Sequence, residues 1–149
     1  MNISITDILY LIISDFQFNS DILLLVVLLI LSGLISGSEV ALFSLSKSDI
    51  KSNSDLKAFK IVDNLLKEPN KLLATILITN NLINIGIVLL FTKIGELLFY
   101  SISSPLIKFL LEIVVATFLI LLFGEILPKI YASRNNIGFS RIIAYPLRI

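Results

Sequence analysis

Leu106-Ile107-Lys108-Phe109-Leu110-Leu111-Glu112-Ile113-Val114-Val115-Ala116-Thr117-Phe118-Leu119-Ile120-Leu121-Leu122-Phe123 runs directly into Gly124-Glu125-Ile126-Leu127-Pro128-Lys129. The first part is long and apolar enough to cross a bilayer as a helix. The second part puts a carboxylate at its end, where insertion scales assign a cost of at least ~2.5–3.5 kcal/mol, so Glu125 is a functional-site hypothesis by default. Pro128 adds a backbone argument. In an α-helix it donates no N–H, and its ring crowds the carbonyl four residues back. That carbonyl belongs to Gly124. Free backbone at membrane depth needs cover from protein or a water-filled cavity. Two readings stand on this stretch alone. One is an ordinary proline kink with Glu125 at the interface beside Lys129. The other is a cation site built from a carboxylate and a freed carbonyl.

Composition narrows the class. The chain has 149 residues, 56% of them hydrophobic, and a mean hydropathy of +0.97. That is too apolar for a soluble domain, and the apolar runs have the length of membrane spans. Net charge is only +1, which gives no electrostatic pull toward nucleic acid. The absence of Cys and His removes disulfides, thiolate and imidazole chemistry, and the usual zinc sites. A metal held here is held by oxygen, which favours hard cations such as Mg²⁺ or Ca²⁺, with Na⁺ served by the same ligand type.

Three spans follow from the apolar pattern, at about residues 22–45, 72–90 and 106–127, so the fold class is an all-α integral membrane protein. Residues 1–21 carry Asp7, Asp15 and Asp21 without a Lys or Arg, which does not fit a secretory leader. Within them Ile8–Ile13 is too short to span. Span one is aliphatic up to Leu31 and then changes to Ser32-Gly33-Leu34-Ile35-Ser36-Gly37-Ser38-Glu39. Gly33, Gly37 and Ala41 form a small-residue stripe suited to close helix packing. Ser32 and Ser36 share a face. Packing gives no reason for Glu39. Span two carries Asn80, Asn81 and Asn84; Asn80 and Asn84 share a face and Asn81 is turned away. One asparagine suits an interhelical hydrogen bond, whereas a stacked pair suits a polar cavity. In span three Lys108 and Glu112 are four apart, which predicts an ion pair.

Two further segments are predicted outside the spans. Leu56, Phe59, Val62 and Leu66 fall near helical spacing, which predicts a short amphipathic helix before Pro69. Arg134, Arg141 and Arg148 recur every seven residues among apolar ones, which predicts an interfacial helix over 134–149 with its arginines at lipid phosphate. The connection 46–71 holds six lysines and the C-terminal segment four basic residues, against one in the connection 91–105 and none before residue 22. The positive-inside rule then puts the N-terminus outside and the C-terminus in the cytoplasm of a cell (inner) membrane. Ser32, Ser36, Asn80, Asn84, Gly124 and Glu125 come to overlapping depth from three independent spans. That convergence favours the cation site over the kink.

Three stretches together resemble the transmembrane domain of the CorC/CNNM (cyclin M) magnesium transporter family: Leu31–Leu42, Leu72–Asn84 and Gly124–Lys129. The resemblance covers about residues 22–149. It implies a homodimer with three spans and a juxtamembrane belt helix per protomer. It also implies cytosolic CBS and CorC-type domains, which this sequence lacks, so it reads as a piece of a longer chain. The implied activity is Mg²⁺ export, exchanged for Na⁺. The implied ligands are Ser32, Ser36, Asn80, Asn84, the Gly124 carbonyl and Glu125, with Glu39, Ser38 and Asn81 behind them or at a place for the coupling ion. The rival function is a non-transporting membrane module, a sensor or an assembly or motility component, whose polar stripe is helix glue. An intramembrane hydrolase is disfavoured by the missing His and Cys and by the lack of a paired aspartate motif in the spans.

Overall fold

The computed structural model describes the backbone of residues 5–148 and the side chains of residues 15–148. All regular elements within them are helical: α1 (Ile5–Phe43), α2 (Lys47–Ser52), α3 (Lys57–Leu65), α4 (Pro69–Leu98), α5 (Pro105–Leu119), a π-helical segment (Ile120–Ile126), α6 (Leu127–Arg134), α7 (Asn136–Ile143) and a 3₁₀ turn (Pro146–Arg148). Three stretches are long and apolar enough to cross a membrane: Asp15–Phe43, Pro69–Leu98 and Pro105–Arg134. Each is longer than the apolar window read from sequence. A hydropathy window marks the hydrocarbon core, whereas the helix continues into the polar interface, where its backbone bonds still need partners. Ile8–Ile13 belongs to the continuous α1; its side chains lie outside the described residues.

The third span does not stop at Pro128. Its last three elements follow without interruption from Pro105 to Arg134. Thirty residues reach ~45 Å, enough for the core and both interfaces, and Glu125 then lies ~13 Å from the Arg134 end. Glu125 therefore lies inside the continuous third span and not at its end.

The two sides of the bundle hold separate apolar clusters. One joins Leu25 of α1, Ile87, Phe91 and Ile94 of α4, and Ala116 and Ile120 of the third span. The other joins Ala41 and Leu42 of α1, Phe139's helix α7 through Ile143 and Ala144, Val62 of α3, and Leu72 and Ile76 of α4. Between them lies the polar layer described below. The Gly33/Gly37 stripe is filled from within the chain. A Cβ on Gly33 would lie 2.8 Å from Cγ of Pro128, and one on Gly37 would lie 2.6 Å from the Phe139 ring. The stripe therefore admits α6 and α7 against α1 and is not a free face for a second copy.

The 46–71 connection forms two helices where one was expected. α3 buries Ala58, Phe59 and Val62, as the spacing of its apolar residues predicts. α2 starts at a capping box in which Ser46 accepts from the Asp49 N–H and the Asp49 carboxylate accepts from the Ser46 N–H. The Ser46 hydroxyl, and then its N–H, hold the exposed Asp49 carboxyl below its ordinary range. That contribution is present above the unfolded value and is lost as pH falls through the lowered one.

The predicted 134–149 helix is divided. Asn135 leaves helical geometry and its side chain accepts from the Gly138 N–H, which starts α7 afresh; Pro146 then ends that turn of chain in a 3₁₀ conformation. Arg134, Arg141 and Arg148 consequently sit on three different elements, all exposed. The Lys108–Glu112 pair is not among the ion pairs of the described residues. Glu112 instead turns inward over Gly95, where a Cβ would lie 2.6 Å from its Cγ, and its buried Oε1 has no partner. Lys108 Nζ reaches the Glu96 carbonyl at 3.4 Å.

Candidate functional site

Ser32 is the centre of the polar layer. It is fully buried on α1, and its Oγ lies 2.7 Å from Oδ1 of Asn84 and 3.2 Å from Oδ1 of Asn80. The hydroxyl has one proton, so it donates to one amide oxygen at a time. The spacing i, i+4 along α4 places both asparagines on the α1 side. Asn81, one position on, is exposed. Ser36, one turn along α1 from Ser32, is 1% exposed, and its Oγ has no hydrogen-bond partner among the described residues. A buried hydroxyl left in this state loses about 1–3 kcal/mol relative to a paired one. Ser38 is also buried, but its hydroxyl is spent on the Ile35 carbonyl.

The third wall comes from the π segment. Gly124 is buried, and a Cβ there would lie 2.7 Å from Ser32 Oγ. Glycine is required so that this backbone can approach the serine. The register here adds a second carbonyl to the one expected from sequence. The Leu127 N–H donates to the Leu122 carbonyl, five residues back. In that register the partner of the Phe123 carbonyl is residue 128, a proline with no N–H. Pro128 thus removes the donor from two consecutive carbonyls: Phe123 in the π register and Gly124 in the α register. The Phe123 oxygen would be 3.0 Å from a Cβ on Gly33, so it faces α1. Hydropathy and helical period carry no signal for a π segment, so sequence reasoning missed the Phe123 carbonyl. The signal that was present is a glycine on α1 opposite a proline four residues beyond Gly124.

Glu125 is half-buried in the π segment and takes part in no ion pair among the described residues. Glu39 does have a partner: its Oε2 lies 3.3 Å from Nζ of Lys129. Among the described residues no three acidic, histidine or cysteine side chains gather in one place. A cation in this layer would be surrounded chiefly by neutral oxygens. Adjacent oxygens of an octahedral shell of ~2.0–2.1 Å radius lie about 2.9 Å apart. The spacings around Ser32 bracket that value. Serine hydroxyl and amide oxygens carry lone pairs of the kind that coordinate hard cations.

The cyclin M transmembrane N-terminal domain matches residues 23–149. The chain belongs to the cyclin M (CNNM) family. Similar proteins include a UPF0053 protein of Haemophilus influenzae, 38% identical over 115 residues, 76% of this chain and 26% of that protein. The UPF0053 inner membrane protein YfjD of Escherichia coli is 30% identical over 118 residues, 78% of this chain and 26% of its own. The metal transporter cnnm-4 of Caenorhabditis elegans is 33% identical over 129 residues, 82% of this chain and 26% of its own. The chain thus spans about a quarter of the length of these curated relatives. The cyclin M match begins in the described part of α1 and takes in all three spans together with α7.

Proposed function

We propose that this cyclin M domain carries Mg²⁺ across the membrane through the polar layer. The observation that carries the reading is the part-buried oxygen cluster of Ser32, Asn80 and Asn84 beside Gly124, with the buried Ser36 hydroxyl unpaired among the described residues. Ser32, Ser36, Asn80, Asn84, the Gly124 carbonyl and Glu125 supply six oxygens and one formal charge to a doubly charged ion. That under-neutralisation suits a site that must also let go. The end bearing α2, α3 and α7 collects the lysines and arginines and faces the cytosol. Movement is outward, with Na⁺ returning; this direction rests on the family resemblance, as does the attachment of cytosolic CBS-type domains.

A second reading has its own observation. The Ser32–Asn84 hydrogen bond joins α1 to α4, as helix glue would in a non-transporting module. Mg²⁺ titration of thermal unfolding in detergent separates the two. The transport site predicts a rise in midpoint that saturates with Mg²⁺ and is not matched by K⁺ at equal ionic strength. An unchanged midpoint supports glue. Mg²⁺ flux into liposomes holding the protein then tells carriage from mere binding.

The domain is also proposed to work as a homodimer. Asn80 and Asn84 are only half-buried within one copy, so the polar layer is open on one side. Light scattering in detergent is expected to give twice the protomer mass; a monomer at every concentration would rule this out.

A further inference from the structure

We propose that Lys129 is a built-in competitor for the transported cation: its ammonium occupies Glu39 and so keeps the cytosolic side of the site from holding the metal too tightly. The inference rests on the transport reading and adds a residue that is not among the proposed ligands. Glu39 lies one turn beyond Ser36 on α1, and Lys129 lies one turn beyond Glu125 on α6. The pair therefore ties α1 to α6 one turn along from a proposed ligand on each, with Nζ–Oε2 at 3.3 Å. It also lines a cavity of about 330 Å³ with Val40, Phe43 and Leu73. The partners remain partly open, with side chains 41% and 31% exposed.

Charge counting gives the pair its role. Glu39 and Glu125 sum to −2, enough to neutralise a divalent ion completely. Lys129 brings the total to −1, which leaves the ion under-neutralised and free to depart. Lysine suits the task because its ammonium is a compact point charge on a flexible stem and can swing off a carboxylate, whereas a guanidinium fork would clamp it. An ion pair that only fastens α1 to α6 has a different signature: its loss would lower stability and leave Mg²⁺ affinity alone.

The test is the Mg²⁺ dependence of thermal protection for the full chain in detergent. Lys129→Gln is expected to lower the Mg²⁺ concentration for half-maximal protection roughly two- to fivefold, the scale of a partly exposed pair. Glu39→Gln should raise it, and the double variant should return close to the parent. Should Lys129→Gln not fold, Lys129→Met keeps the aliphatic stem and carries the same expectation. An unchanged or weakened Mg²⁺ response in the Lys129 variant of a parent that is itself protected overturns this inference alone. A parent that Mg²⁺ does not protect overturns the transport site, and the competitor with it.

Discussion

Glu125→Gln is expected to raise the Mg²⁺ concentration needed for thermal protection by at least about tenfold, equivalent to about 1.4 kcal/mol of binding. The substitution keeps length, shape and one carbonyl oxygen. It removes the one formal charge among the six proposed ligands. A divalent ion that gives up water reluctantly needs that charge to offset the loss of its hydration shell. The metal-free protein should be no less stable than the parent, because a half-buried carboxylate without an ion-pair partner is itself a cost at hydrocarbon depth. Ser36→Ala and Asn84→Ala should weaken Mg²⁺ less, since water can replace a neutral oxygen. If Glu125→Gln retains full protection, Glu125 is not a ligand, whatever its depth.

Much of this was legible in the chain because the bilayer makes hydropathy an unusually direct signal. Three apolar runs gave three spans, and the 3.6-residue period set Asn80 and Asn84 on one face and Asn81 on another. What was not legible depends on contacts between helices. The Gly33/Gly37 stripe reads equally well as a contact with a second copy or with the same one; only the Pro128 ring and Phe139 seated on it decide the matter. Lys108 and Glu112 have ideal spacing for a pair, yet Gly95 on α4 opens a better place for the Glu112 side chain. Neither choice is encoded locally. The same holds for the third span, where proline in sequence announces an ended helix. The structure absorbs it by a change of register, because at membrane depth a continued helix leaves fewer backbone groups unpaired than a broken one.

Gly124→Ala is expected to have the other large effect, and it tests the site by shape instead of charge. The added methyl would sit 2.7 Å from Oγ and 3.3 Å from Cβ of Ser32. Ser32 has no exposed surface, and its hydroxyl is held at 2.7 Å by Asn84. Either the hydroxyl rotates away and loses Asn84, or the π segment backs off α1. Overpacking of this kind costs about 1–3 kcal/mol. Mg²⁺ protection should be lost together with that stability, because both routes disperse the oxygens. Adding Ser32→Ala to Gly124→Ala removes the clashing Oγ and leaves only the tight 3.3 Å contact between methyl carbons. The double variant should therefore recover most of its thermal midpoint without Mg²⁺ but only part of the protection by Mg²⁺, since it has one neutral ligand fewer. Circular dichroism melts with and without the ion read both quantities in one experiment. Recovery of the parent's full Mg²⁺ protection in the double variant would show that Ser32 Oγ is packing and not a ligand. A Gly124→Ala protein identical to the parent in both melts would mean that α1 and the π segment do not meet at Ser32.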